Sequence, residues 1–156
     1  MIRRARKVTR EQRIVADIER RSKLELQLYV TSRLRELRTL PPGWDGGSRG
    51  PISQRVTHDA YRMLDRISDF RTVYPFITPA EEGAVLLEWR AGVERLEIEF
   101  HPTEKPYVRH VSVLGDVQMD GVIGHDGVSY DDVRRALSAL SSRIWVANPS
   151  WKRLFT

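Results

Sequence analysis

The clearest regularity in the chain is an alternation of apolar and ionisable residues from Arg95 to His101 (RLEIEFH). Residues 84–90 show the same period of two, with Val85, Leu87 and Trp89 on one side. A period of two is typical of strands with one buried and one solvated face. Because Ala91 and Gly92 form a turn signal between the two runs, the pattern predicts an antiparallel hairpin.

Shorter alternating runs flank this hairpin. They predict an extended piece at residues 76–78 and two further strands at 107–114 and 117–123, separated by turn residues. The chain is therefore expected to place four or five consecutive strands between its helical parts.

Apolar residues at helical spacing predict helices over residues 9–39, 53–70 and 130–143. Thr9 and Gln12 have the spacing of a capping box, and Ser53 and Ser129 suit the N-cap positions of the other two helices. The first helix competes with a strand prediction, since residues 24–30 also alternate. Helix is favoured because the flanking residues are rich in Arg, Glu, Gln and Leu and include no turn residue.

The first helix is predicted to be apolar on two sides. Leu24 and Leu28 face away from the main apolar stripe, so we expect this helix to have a second partner, such as another subunit. The main stripe consists of Val15, Ile18, Leu26, Tyr29, Val30 and Leu37.

This order of elements predicts an α+β fold: an antiparallel β-meander of four to five strands, with two N-terminal helices and one C-terminal helix. A length of 156 residues suits one domain. Within it we distinguish a basic helical N-terminal segment, 1–40, from an α+β body, 41–156, that ends in an aromatic tail.

Four aromatic residues lie outside the predicted regular elements. Trp44 sits in the Pro- and Gly-rich loop 41–51, and Trp145, Trp151 and Phe155 belong to the C-terminal tail. Loops and tails are normally polar, so we expect these rings to act as apolar anchors, either on the body or on a partner.

The formal net charge of +5 is distributed unevenly. Residues 1–40 contain twelve Lys and Arg against five Asp and Glu, whereas the remaining residues contain fourteen against sixteen. Such a basic leader attracts acidic protein surfaces and nucleic acid. The residues expected to make this electrostatic contact are Arg3, Arg4, Arg6, Lys7, Arg10 and Arg13.

Composition excludes several classes of protein. The chain has no cysteine, which removes disulfides, thiolate metal sites and cysteine nucleophiles. No apolar run is long enough for a membrane span, and no apolar segment follows the basic start as in a secretory signal, so a cytoplasmic protein is expected. Phosphate-loop, dinucleotide-binding, zinc-protease and nucleophile-elbow motifs are absent, and no cofactor is expected.

One group of residues suggests metal binding or acid–base chemistry. Glu97, Glu99 and His101 share the solvated face of a predicted strand, and His110 is expected on the same face of the next strand. Carboxylates and imidazoles at alternate positions can bind a divalent metal or exchange protons. The competing interpretation is a solvated strand face with Arg95 as counter-charge.

Three motifs in residues 34–100 form a recognisable set: Gly43–Gly46 (GWDG), Pro51–Ser53 (PIS), and an LEW strand motif preceded by glycine at Gly83–Trp89. In these motifs the chain resembles a widespread group of small bacterial and phage proteins of uncharacterised function. The resemblance implies a setting among phage, mobile-element, defence or toxin–antitoxin genes, and it carries no active-site residues to this chain.

The sequence therefore favours a non-enzymatic protein-interaction module, in the manner of an antitoxin, an inhibitor or an assembly subunit, with another protein as partner. A nucleic-acid-binding protein that uses the Arg-rich N-terminus is the alternative. A metal-dependent enzyme that uses Glu97, Glu99 and His101 is the second alternative. A homo-oligomer formed through the first helix is a further expectation.

Overall fold

The computed structural model describes residues 6–156 and contains three α-helices and five β-strands. In chain order they are α1 (Arg10–Arg38), α2 (Gln54–Ile67), β1 (Phe76–Pro79), β2 (Val85–Ala91), β3 (Glu94–Phe100), β4 (Tyr107–Val111), β5 (Val117–Val122) and α3 (Tyr130–Ala147). Two short 3₁₀ turns, Glu81–Gly83 and Trp151–Phe155, complete the chain.

The strands form one antiparallel sheet in the order β1-β2-β3-β4-β5. Two residues, Gly92 and Val93, connect β2 to β3, and Gly92 has the positive φ of 63° that favours glycine at a tight hairpin loop. The predicted α+β meander, with two helices before the sheet and one after it, is confirmed.

The helices begin where the sequence predicts. The Thr9 hydroxyl accepts from the Gln12 backbone N–H at 3.1 Å, and the Gln12 side chain accepts from the Thr9 N–H at 2.9 Å, which completes the capping box. Ser53 and Ser129 cap α2 and α3 in the same way through their hydroxyls. The lengths differ slightly: α2 ends at Ile67, before the predicted residue 70, and α3 continues past residue 143 to Ala147.

One face of the sheet forms the core against the three helices. Its buried side chains include Leu87 and Trp89 on β2 and Leu96, Ile98 and Phe100 on β3, the positions assigned to the buried face from their alternation. Burying apolar area at about 25 cal/mol per Å² makes this layer the main source of stability. Most side chains on the other face are exposed.

A short segment, residues 71–75, joins α2 to the sheet, and four side chains from α1, β2 and α3 form hydrogen bonds with its backbone. Such bonds matter because an unpaired backbone group in a core costs free energy. Burial raises the pKa of Tyr29 to about 12, so its hydroxyl stays a donor even above the ordinary tyrosine pKa of about 10. The donor–acceptor pairs are Trp145 to Arg71 (2.9 Å), Val73 to Ser141 (3.1 Å), Trp89 to Val73 (2.8 Å) and Tyr29 to Pro75 (2.8 Å).

A buried carboxylate links the sheet to α3. Glu94 is 1% exposed, and the Arg143 guanidinium donates to both of its oxygens, at 2.6 Å for the bond from Nε. His110 on β4 lies 3.2 Å from the same carboxylate. A buried charge needs such partners, since an unpaired one is strongly destabilising.

The two buried tryptophans differ in one respect, which gives a prediction. The Trp89 indole N–H donates to the Val73 carbonyl, whereas the Trp151 indole N–H has no acceptor within residues 6–156. Both side chains are at most 1% exposed, so Trp→Phe removes similar buried volume at each position. We expect Trp89→Phe to lower the free energy of unfolding by about 1–3 kcal/mol more than Trp151→Phe, because it alone leaves a buried carbonyl unpaired.

Urea unfolding of the two variants beside the wild type measures this difference. Equal losses of stability in the two variants would show that the Trp89 hydrogen bond contributes nothing beyond packing.

Candidate functional site

The N-terminal half of α1 extends past the part of the helix that packs on the body. We call residues 6–22 the basic arm. None of its side chains is buried, and the buried positions of α1 begin only at Leu26. The first ion pair from α1 to another element is the 3.9 Å contact between Lys23 and Asp65 of α2. Since α1 rises about 1.5 Å per residue, the helical part of the basic arm spans roughly 20 Å.

The cations of the basic arm are free of salt bridges at the positions singled out from the sequence. Arg6, Lys7, Arg10 and Arg13 are exposed, and none has a carboxylate partner within the described part of the chain. Arg20 is different, because it pairs with Asp17 at 2.7 Å. Arg3 and Arg4, which belong to the same predicted group, lie outside the described residues. Unpaired cations on a helix and on the residues just before it are available to an anionic partner.

Apolar side chains on the basic arm are also uncovered. Ile14, Val15 and Ile18 are 50%, 53% and 57% exposed, although Val15 and Ile18 belong to the predicted main stripe. These two residues of the stripe therefore do not pack on the body. The stripe has helical spacing, but the body does not extend as far as the N-terminal turns of α1. Stripe residues therefore pack on the body only from Leu26 onward.

The predicted second apolar side of α1 is present. Leu24 and Leu28 are 53% and 62% exposed. At 100° per residue, they fall together with Ile14 on the side opposite the buried residues, and Ile18 lies at the border between this side and the main stripe. Ile14 was missed in the sequence, although its spacing of fourteen residues to Leu28 places it on this side.

The four aromatic anchors predicted from the sequence all contact the chain's own body. The Trp44 indole donates to the Gly50 carbonyl at 2.7 Å and closes its own loop. Trp145 and Trp151 pack edge to face with centroids 5.3 Å apart, and Phe155 lies 4.8 Å from Phe76. These rings secure the loop and the tail, which leaves the basic arm as the more exposed of the predicted contact surfaces.

The predicted metal or acid–base group does not assemble. The prediction that His110 shares a face with Glu97 and Glu99 is wrong: the register pairs His110 with Leu96, on the helix-covered face, where it bonds Glu94. His101 bonds the Glu82 carboxylate at 2.9 Å. Over residues 6–156, no three His, Cys, Asp or Glu side chains come close enough together to hold a metal ion.

Two carboxyl groups do meet on the open face of the sheet. Glu88 on β2 lies directly opposite Glu97 on β3, a neighbour that the two-residue loop at Gly92 would have revealed from the sequence. Burial, followed by the nearby Glu88 carboxyl, raises the pKa of Glu97, while Arg95 and Arg109 act in the opposite direction. Both carboxylates have a salt-bridge partner, Arg90 at 2.8 Å from Glu88 and Arg95 at 3.4 Å from Glu97, unlike the cations singled out on the basic arm.

Comparisons of the chain with protein-family models, with curated proteins and with solved structures find no match. No helix within the described residues combines the length and the apolar character needed to cross a membrane. The geometry of the surfaces is therefore the basis for any statement about function.

The carboxyl pair gives a prediction about pH. Because the pKa of Glu97 is raised in the folded state, the folded protein loses stability as the pH rises through that pKa. We expect Glu97→Gln to raise the Tm at pH 7 by about 2–4 °C, the effect of about 1 kcal/mol in a domain of this size. The gain should disappear at about pH 4, near the ordinary Glu pKa of about 4.3.

Thermal unfolding at the two pH values measures the effect. Glu99→Gln, an exposed carboxyl on the same strand, is the matched control and should change little at either pH. A Tm gain for Glu97→Gln that persists unchanged at pH 4 would rule out ionisation of the partly buried Glu97 as the cause.

Proposed function

We propose that the protein is a non-enzymatic protein-interaction module that binds an acidic protein partner through the basic arm. The observation that carries this proposal is the combination of unpaired cations with half-exposed Ile14, Val15 and Ile18 on one capped helix. A helix that presents apolar side chains among cations suits an acidic groove in a partner protein. The apolar side chains would be buried in the groove, and the cations would attract its negative charges.

The apolar residues favour a protein over nucleic acid as the partner. Contacts to phosphate need cations and polar groups, and they gain nothing from exposed isoleucine or valine. The basic arm also contains no aromatic residue on which a base could stack. Binding of nucleic acid through the same arginines remains the alternative that the experiment below distinguishes.

The basic arm is a poor match for a membrane surface or a second copy of itself. Helices that lie in the membrane interface use Trp, Phe or Leu on the apolar side, and residues 6–22 contain none of these. Two such arms side by side would bring like charges together, since each has six Lys and Arg against three Asp and Glu. An acidic groove satisfies both the charge and the apolar side chains.

The proposed setting is the cytoplasm of a bacterium, as the resemblance to phage and mobile-element proteins suggests. An acidic partner there would be a toxin, an inhibited enzyme or a neighbouring assembly subunit, whose negative surface the basic arm covers.

The test uses two double substitutions. Arg10→Glu/Arg13→Glu reverses the charge of the basic arm, and acidic residues in the first turn favour the helix dipole, so the helix should persist. Ile14→Ser/Ile18→Ser removes the apolar anchors. We expect each to weaken binding of the partner by at least about tenfold, or about 1.4 kcal/mol, whereas the exposed tail substitution Arg153→Glu leaves it unchanged.

The partner is identified by a photocross-linking amino acid at Arg21, with the same group at Arg153 as control. It is then purified and titrated calorimetrically against the wild type and the variants. Binding that survives both double substitutions would place the interface elsewhere. Salt-dependent binding of a duplex oligonucleotide that Arg10→Glu/Arg13→Glu abolishes but Ile14→Ser/Ile18→Ser leaves intact would establish the nucleic-acid alternative instead.

A further inference from the structure

A cationic cavity of about 390 Å³ lies between α2, the β3–β4 loop and the start of α3. It shares no residue with the basic arm. Three arginines of α2 and one lysine of the loop line it: Arg55, Arg62, Arg66 and Lys105.

The three arginines form one row along α2. Their spacing of seven and four residues places Arg55, Arg62 and Arg66 within about 40° of one another around the helix. The carboxylates of Asp59 and Glu104 also line the cavity. Even so, none of the four cations forms a salt bridge with any carboxylate in the described chain, whereas Arg134 and Arg135 of the adjacent α3 are both paired.

Two of the four cations are held in place by neighbours that do not neutralise them. The Arg66 guanidinium lies 3.4 Å above the centre of the Tyr130 ring, a stacking contact that leaves its N–H edge free. The Arg66 carbonyl accepts from Arg134 at 3.2 Å. In the β3–β4 loop, Lys105 Nζ lies 3.2 Å from His125 Nε2. Side chains that are already ordered lose less entropy when a ligand binds.

We propose that this cavity binds a phosphate-bearing ligand. Four cations against two carboxylates leave two positive charges, which match the charge of a phosphate group. The planar N–H fork of arginine is suited to phosphate oxygens, and the lysine adds a point charge from a second element. The volume falls in the range of small-molecule sites, about 300–1,000 Å³. The site is additional to the protein interface of the basic arm.

The probe is inorganic pyrophosphate, titrated calorimetrically into the full chain. Arg62 and Lys105 are exposed, so Arg62→Gln and Lys105→Gln should leave the fold intact. We expect each to weaken pyrophosphate binding by at least about tenfold. Arg135→Gln, an exposed arginine on α3 that lies outside the cavity, is the matched control and should leave binding unchanged.

A short single-stranded oligonucleotide, titrated in parallel, distinguishes the source of the phosphate. Pyrophosphate binding that is lost in Arg62→Gln and Lys105→Gln supports a small phosphorylated ligand. Oligonucleotide binding alone, lost in the same two variants, supports phosphate presented by nucleic acid.

Failure of both probes to bind overturns the proposal, and so does binding that both variants retain or that Arg135→Gln weakens equally. Arg10→Glu/Arg13→Glu should not affect this site, so its outcome is separable from the test of the basic arm.

Discussion

A single apolar layer, enclosed between one face of the sheet and three helices, is the constraint on which the rest of the molecule depends. A chain of 156 residues builds only one such layer, and every element beyond its edge must be stable in water. The layer accommodates α1 from Leu26 onward and leaves the preceding turns without a neighbour. The two surfaces with unpaired cations lie outside this layer. One is the basic arm, where α1 extends beyond the layer, and the other is the cavity beside α2.

The basic arm keeps its helical form through local interactions. The capping box supplies partners to backbone N–H groups at the start of α1, and Arg20 pairs with Asp17 one turn away. The arm is also continuous with a helix that the core anchors, so it does not bear the cost of nucleating a new one. A preformed helix of this kind offers Ile14 and Ile18 at fixed positions, which reduces the entropy lost when a partner binds.

Most of the fold follows from local patterns, whereas the sites depend on distances between elements. Thr9 and Gln12 identify the start of α1, and the alternation from Arg95 to His101 identifies the buried face of β3. The face of His110 was predicted wrongly because a shift of one residue across the β3–β4 turn exchanges the two faces of a strand. Likewise, the periodicity of Val15 and Ile18 indicates a direction around the helix but not how far the opposing surface extends.

The row of arginines on α2 could not be identified as part of a binding site from its sequence spacing alone. Spacings of seven and four among Arg55, Arg62 and Arg66 were visible in the sequence, but arginine is common throughout this chain and the row alone is typical of a solvated helix face. Its significance comes from the β3–β4 loop, which adds Lys105 to the same cavity, and from Tyr130, which stacks on Arg66. Cations gathered in this way repel one another, a cost that direct salt bridges relieve at Arg134 and Arg135, whereas Asp59 and Glu104 offset only part of the positive charge in the cavity. An anion in the cavity would remove that repulsion, so binding it and stabilising the fold would be the same electrostatic event.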